Sequence, residues 1–183
     1  MDSWPVKVAL EWQGKSMPAT FRPVLLIGDG PTRDLDTRAA MSMRNDWEVW
    51  AVNRALYRHP GPIQHFVTAH VSWIAQWKAI RYNMGGTRPV LTHSIRREPG
   101  VDMVWTQEPR TGTSLMLAVL IAMTLQYELV LLAGGGLIHE DGTRPFSNDT
   151  YSAWERLAPY IQGRVFSLFG FTRKLLGDGR GNH

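Results

Sequence analysis

The chain has 183 residues and is 44% hydrophobic, enough for one substantial core and too little for two ordinary domains. It contains no cysteine, which excludes a disulfide framework and a thiolate metal site and fits a reducing compartment. The formal charge is +4, and sixteen of the 20 basic residues are arginine, the side chain best shaped for bidentate contact with phosphate or carboxylate.

Those arginines read equally as an anionic-ligand signal or as dispersed surface charge; without a dense basic run, nucleic acid is the weaker expectation. Met1-Asp2-Ser3-Trp4-Pro5 lacks the basic and apolar segments of a secretory signal. The longest apolar run, Leu115 to Met123, is far short of the ~20 residues that cross a bilayer as a helix. A soluble, cytoplasmic protein without membrane partners is expected.

Residues 1–22 read as an extension with an edge strand over Val6 to Trp12. Val24-Leu25-Leu26-Ile27 is a continuous apolar run ending in Gly28-Asp29-Gly30-Pro31, the pattern of a strand buried on both faces of a parallel sheet. Asp34 to Arg44 has helical spacing, and Trp47 to Val52 is strand-like, which completes a β-α-β unit. A short strand is expected at His65 to Thr68 and a helix from Val71 to Tyr82. Pro89 to Thr92 and Val101 to Thr106 follow as strands, separated by Arg96-Arg97-Glu98-Pro99-Gly100.

The strongest helix begins after Gly112, capped by Thr113 or Ser114, and runs over Leu115 to Gln126 into the apolar strand Leu129 to Ala133. Gly134-Gly135-Gly136 opens a polar loop reaching Asn148. An amphipathic helix over Tyr151 to Ile161 and a strand over Val165 to Phe169 close the domain, 23–176, and residues 177–183 read as a mobile tail. The alternation predicts a single α/β domain, a Rossmann-like, mostly parallel sheet with helices on both faces. In such sheets ligands bind beyond the carboxyl ends of the strands.

The first βα turn is therefore the leading candidate site. Gly28 and Gly30 allow close backbone approach, Pro31 and Thr32 open the helix, and amides at a helix start attract phosphate. Neither the dinucleotide fingerprint nor a phosphate loop is present. An ordinary tight turn is the competing explanation.

Several ordered blocks resemble a Rossmann-like group that includes 6-hydroxymethylpterin diphosphokinase-like proteins and bacterial sialyltransferase-like enzymes. Val24 to Thr32 is similar to their strand ending in Gly-x-Gly-Pro-Ser, and Val49 to Ala55 to their second strand ending in an asparagine. Gly112-Thr113-Ser114 with the helix and strand that follow is similar to their Gly-Ser-Ser block. The resemblance implies a nucleotide or nucleotide sugar bound by Gly28, Asp29, Gly30, Pro31 and Thr32, with Asn53, Gly112, Thr113 and Ser114 nearby. This chain departs from the group at Thr68-Ala69-His70, where an aspartate is common, and at Gly134-Gly135-Gly136, where Gly-x-Asp is expected. Asn53 could equally stabilise a turn.

His70, at a strand end, is a candidate general base, with a capping or hydrogen-bonded structural histidine as the competing reading. His139 and Glu140, with Asp141, form an acidic cluster in a loop that could close over a substrate, with a solvated loop as the competing reading. His93 and Arg96-Arg97 are candidates for recognising an anionic acceptor, with exposed surface as the alternative; Trp73 and Trp77, one helical turn apart, read as packing. No metal ligand is assigned. The leading expectation is a nucleotide-dependent transferase, using a nucleotide-sugar donor in its glycosyltransferase-like form. The alternatives are a noncatalytic nucleotide-binding or phage accessory protein and a protein-interaction module.

Overall fold

A computed structural model describes residues 7–11, 22–108, 113–137, 143 and 146–179. In chain order the strands are β1 (Lys7–Glu11), β2 (Pro23–Ile27), β3 (Glu48–Val52), β4 (His65–Val67), β5 (Leu91–Ser94), β6 (Met103–Glu108), β7 (Leu129–Ala133) and β8 (Val165–Ser167). They form one eight-stranded sheet in the order β1-β6-β5-β4-β3-β2-β7-β8. β2 through β8 pair in parallel, and β1 joins the edge antiparallel to β6.

The helices are α1 (Arg33–Met43), α2 (Ala55–Arg58), α3 (Ile74–Asn83), α4 (Ser114–Thr124), α5 (Asn148–Ile161) and α6 (Gly170–Leu176). Alternate strand residues point to opposite faces. Leu25, Ile27, Val49, Ala51 and Phe66 therefore meet Ala40 of α1, Leu56 of α2 and Trp77 of α3. Val24, Leu26, Trp50, Val52 and Val67 meet α4, Trp154 of α5 and Leu176 of α6. Among the described residues, three helices on each side of a mainly parallel sheet make this a doubly wound, Rossmann-like α/β fold.

α4 is apolar on every side because it is buried on every side, from Ser114 to Met123. Thr113 caps it, its Oγ1 accepting from the Met116 amide. Two short helices depart from the sequence-based expectation. α2 has only four residues, too few for a periodic signal. α6 follows directly on β8, which stops at Ser167 rather than Phe169. No described helix is long and apolar enough to cross a membrane.

Candidate functional site

The chain runs from β2 outward through β3, β4, β5 and β6, then returns to place β7 on the other side of β2. The switch point thus lies between the carboxyl ends of β2 and β7, where open α/β sheets leave a crevice. Here the crevice is bridged by protein. The amides of Gly28 and Gly30 donate to the carbonyls of Ala133 and Gly134, at 2.7 and 3.0 Å. A Cβ on Gly30 would fall 2.5 Å from the Gly134 oxygen, and one on Gly28 2.7 Å from it. Backbone-to-backbone approach accounts for both glycines, and their amides are already committed, contrary to the expectation of free donors for phosphate.

Thr32 is likewise engaged, its hydroxyl donating to Asp36 Oδ2 at 2.8 Å. The same oxygen accepts from the Gly134 amide at 2.8 Å, so buried Asp36 ties the first turn of α1 to the end of β7. Burial raises the Asp36 carboxyl above its ordinary range, against the two donated bonds. This residue was not singled out from the sequence, where an acid in a helix's first turn reads as a dipole partner.

Asp29 is the focus of charge at this edge. Arg54 Nε donates to its Oδ2, Arg58 Nη1 donates to Oδ1 at 2.7 Å, and Arg33 Nη1 stands 3.7 Å from Oδ1. Arg33 also makes a bidentate pair with Asp34, at 2.8 and 3.0 Å. Three guanidinium groups thus face two carboxylates, an excess of one positive charge. The Arg54 and Arg58 side chains are 52% and 39% exposed, so their outer faces are open to solvent. Arg54 and Arg58, four residues apart across α2, point the same way; an unremarkable turn sequence gave no sign of them.

Asn53 adopts the left-handed backbone conformation, φ 54°. Its Oδ1 accepts from the Thr68 hydroxyl at 2.8 Å, and the Thr68 oxygen accepts from the His70 amide at 3.0 Å. The turn-stabilising role weighed for Asn53 is therefore present. Ser114 Oγ accepts from the Ala69 amide at 3.0 Å, which docks the start of α4 on the end of β4. The two helix starts follow β2 and β6, which are separated by β5, β4 and β3 rather than adjacent as a shared site requires, and α4 begins over β4 rather than over the Gly28–Thr32 turn. The Gly28–Thr32 turn follows β2 and the α4 start docks on the end of β4, with β3 between them.

His70 is exposed, and its ring meets Trp77 edge-on, centroids 6.4 Å apart. Trp73 stacks on Trp77 at 6.3 Å; Trp77 is buried and Trp73 is half exposed. His93 corrects both readings offered for it: it is fully buried on β5 and faces neither ligand nor solvent. Gly112, His139 and Glu140 lie outside the described residues. Among the described residues no three His, Asp or Glu side chains converge as metal ligands. No protein-family model, curated protein or solved structure matches the chain.

Proposed function

We propose that this chain binds a phosphorylated nucleotide or nucleotide sugar at the carboxyl edge, with ligand phosphate against Arg54 and Arg58, and acts as a nucleotide-dependent transferase. The observation that carries the reading is the convergence of Arg33, Arg54 and Arg58 on Asp29 beside the switch point. A guanidinium fork matches phosphate oxygens as well as carboxylate oxygens. Asp29 then stands where an incoming anion binds and competes with it. In the transferase reading the arginines stabilise leaving-group phosphate, and His70, exposed at the same edge, takes the acceptor proton.

One observation favours binding without turnover. The His70 ring has an aromatic neighbour, Trp77, and among the described residues no carboxylate orients it, whereas a general base is ordinarily held by a third group. A thermal-shift series with nucleotides and nucleotide sugars, with and without divalent metal, tests binding, because a ligand of the folded state raises the melting temperature. Arg58→Gln is expected to weaken the stabilising ligand about tenfold, the lower end for a charged hydrogen bond. Asp29→Asn is expected to strengthen it. Unchanged affinity in both Arg54→Gln and Arg58→Gln would place the site elsewhere, and binding without product would favour the noncatalytic reading.

A further inference from the structure

A second recess lies away from the carboxyl edge. Thr87 to Pro89 precede β5 and Pro99-Gly100 precede β6, so these segments meet α3 toward the amino-terminal edge of the sheet. Between them and α3 is a cavity of about 430 Å³, within the range of small-molecule sites. Ala75 and Ala79, one helical turn apart, supply small side chains, and Ile74, Pro89 and Pro99 supply apolar lining. Tyr82, also in the lining, is 70% exposed, and Met84 and Val90, on the segment between α3 and β5, are 69% and 72% exposed.

The recess is built on fixed supports. Arg81 donates to the carbonyls of Leu56, His59, Gly61 and Thr87, which holds the segment before β5 in place. Lys78 Nζ donates to the Gly100 carbonyl at 2.6 Å and holds the opposite side. A site whose walls are pinned in the free protein loses little entropy on binding.

Charge gives the recess its chemistry. Lys78 and Arg88 both line it. Burial holds the Lys78 ammonium below the ordinary lysine range, with Asp102 opposing it and the Arg88 charge adding a smaller push in the same direction as burial. Asp102 Oδ2 already accepts from the Thr92 amide at 2.7 Å. Arg88 has no ion pair among the described residues. Arg96 and Arg97, on the loop that ends in Pro99-Gly100, are exposed as well. Lys78 and Arg88 thus stand in the recess near one carboxylate, Asp102, which the Thr92 amide already engages. An inorganic anion has no use for the apolar lining, and a neutral apolar molecule has none for the cation pair.

We propose that this cavity binds a small amphipathic anion: a ring against Ala75, Ala79 and the two prolines, with its acidic group at Lys78 and Arg88. The site is independent of the nucleotide reading. The test is fluorescence titration with 1-anilinonaphthalene-8-sulfonate and with its neutral counterpart N-phenyl-1-naphthylamine. Saturable binding of both dyes by the unaltered chain is expected. Ala79→Glu, at an exposed helix position that favours folding, is expected to weaken both dyes about tenfold or more by placing a carboxylate in the recess. Arg88→Gln is expected to weaken only the sulfonate, about two- to fivefold, as for a single solvent-exposed charge pair. Absence of saturable sulfonate binding, or Ala79→Glu within about twofold of the unaltered chain, overturns the proposal. If circular dichroism shows Ala79→Glu unfolded, Arg88→Gln decides alone: equal effects on the two dyes, or none on the sulfonate, overturn it.

Discussion

Glu48, His65, His93 and Trp105 form a row across β3, β4, β5 and β6, and the row fixes its own protons. The Trp105 indole can only donate, and it does so to His93 Nδ1 at 2.9 Å. The His93 proton is then on Nε2, facing His65 Nδ1 at 2.7 Å, and the His65 proton is on Nε2, 3.3 Å from Glu48 Oε1. Trp50 Nε1 and the Tyr127 hydroxyl also donate to that oxygen. An extra proton on either imidazole sets donor against donor somewhere along the row. Burial accordingly pushes His65 down to about 4, with Glu48 partly opposing, and holds His93 well below its ordinary range.

The folded pKa of His65 is depressed, so the unfolded chain takes up a proton near pH 6.5 that the folded chain refuses until about 4. This contribution is fully present above pH 6.5 and is lost as pH falls through that window, on the order of 3 kcal/mol in all. Urea unfolding at pH 7, 5.5 and 4.5 should show the decline, and His65→Gln, which accepts and donates without titrating there, should reduce the slope. Equal slopes would remove the row as its cause. The sequence displayed these histidines but not their pairing, since residues 28 apart meet only when β4 and β5 align.

At the scale of elements, the close contact between the β2–α1 turn and the end of β7 is the sharpest geometric demand. Gly30→Val places its Cβ against the Gly134 carbonyl, a backbone atom that cannot rotate away. The expected result is destabilisation of about 1–3 kcal/mol by urea unfolding in the absence of any ligand. Unchanged stability together with lost nucleotide affinity would instead assign the glycine to the ligand.

The strand β2 was legible because five consecutive buried residues leave an uninterrupted apolar run. The β5 strand was read two residues early, at Pro89 to Thr92. A proline has no amide for a parallel ladder, and the strand begins beyond it at Leu91. That shift carried His93 from a supposed loop into the sheet. Thr92, His93 and Ser94 are buried polar residues, and the partners of the Thr92 amide, the His93 ring and the Ser94 hydroxyl, Asp102, Trp105 and Thr68, come from other segments.

For the molecule as a whole, α4 lies inside the core on its side of the sheet, buried from Ser114 to Met123. Leu120, fully buried in the middle of that helix, should be costly to truncate: Leu120→Ala is expected to lose about 2–5 kcal/mol in urea unfolding. A loss below about 1 kcal/mol would mean that the surrounding layer collapses onto the gap. The sequence by itself determined the alternation of strands and helices, the burial of β2 and α4, and a cap at Thr113 or Ser114. Those properties depend on backbone sterics and on the local period of apolar residues. Only the tertiary structure decided that α4 starts over β4, that the Gly28 and Gly30 amides serve β7, and that three arginines gather on Asp29. Each of these depends on strand order and register, which bring together residues far apart in the chain, and no local periodicity encodes which distant groups will meet.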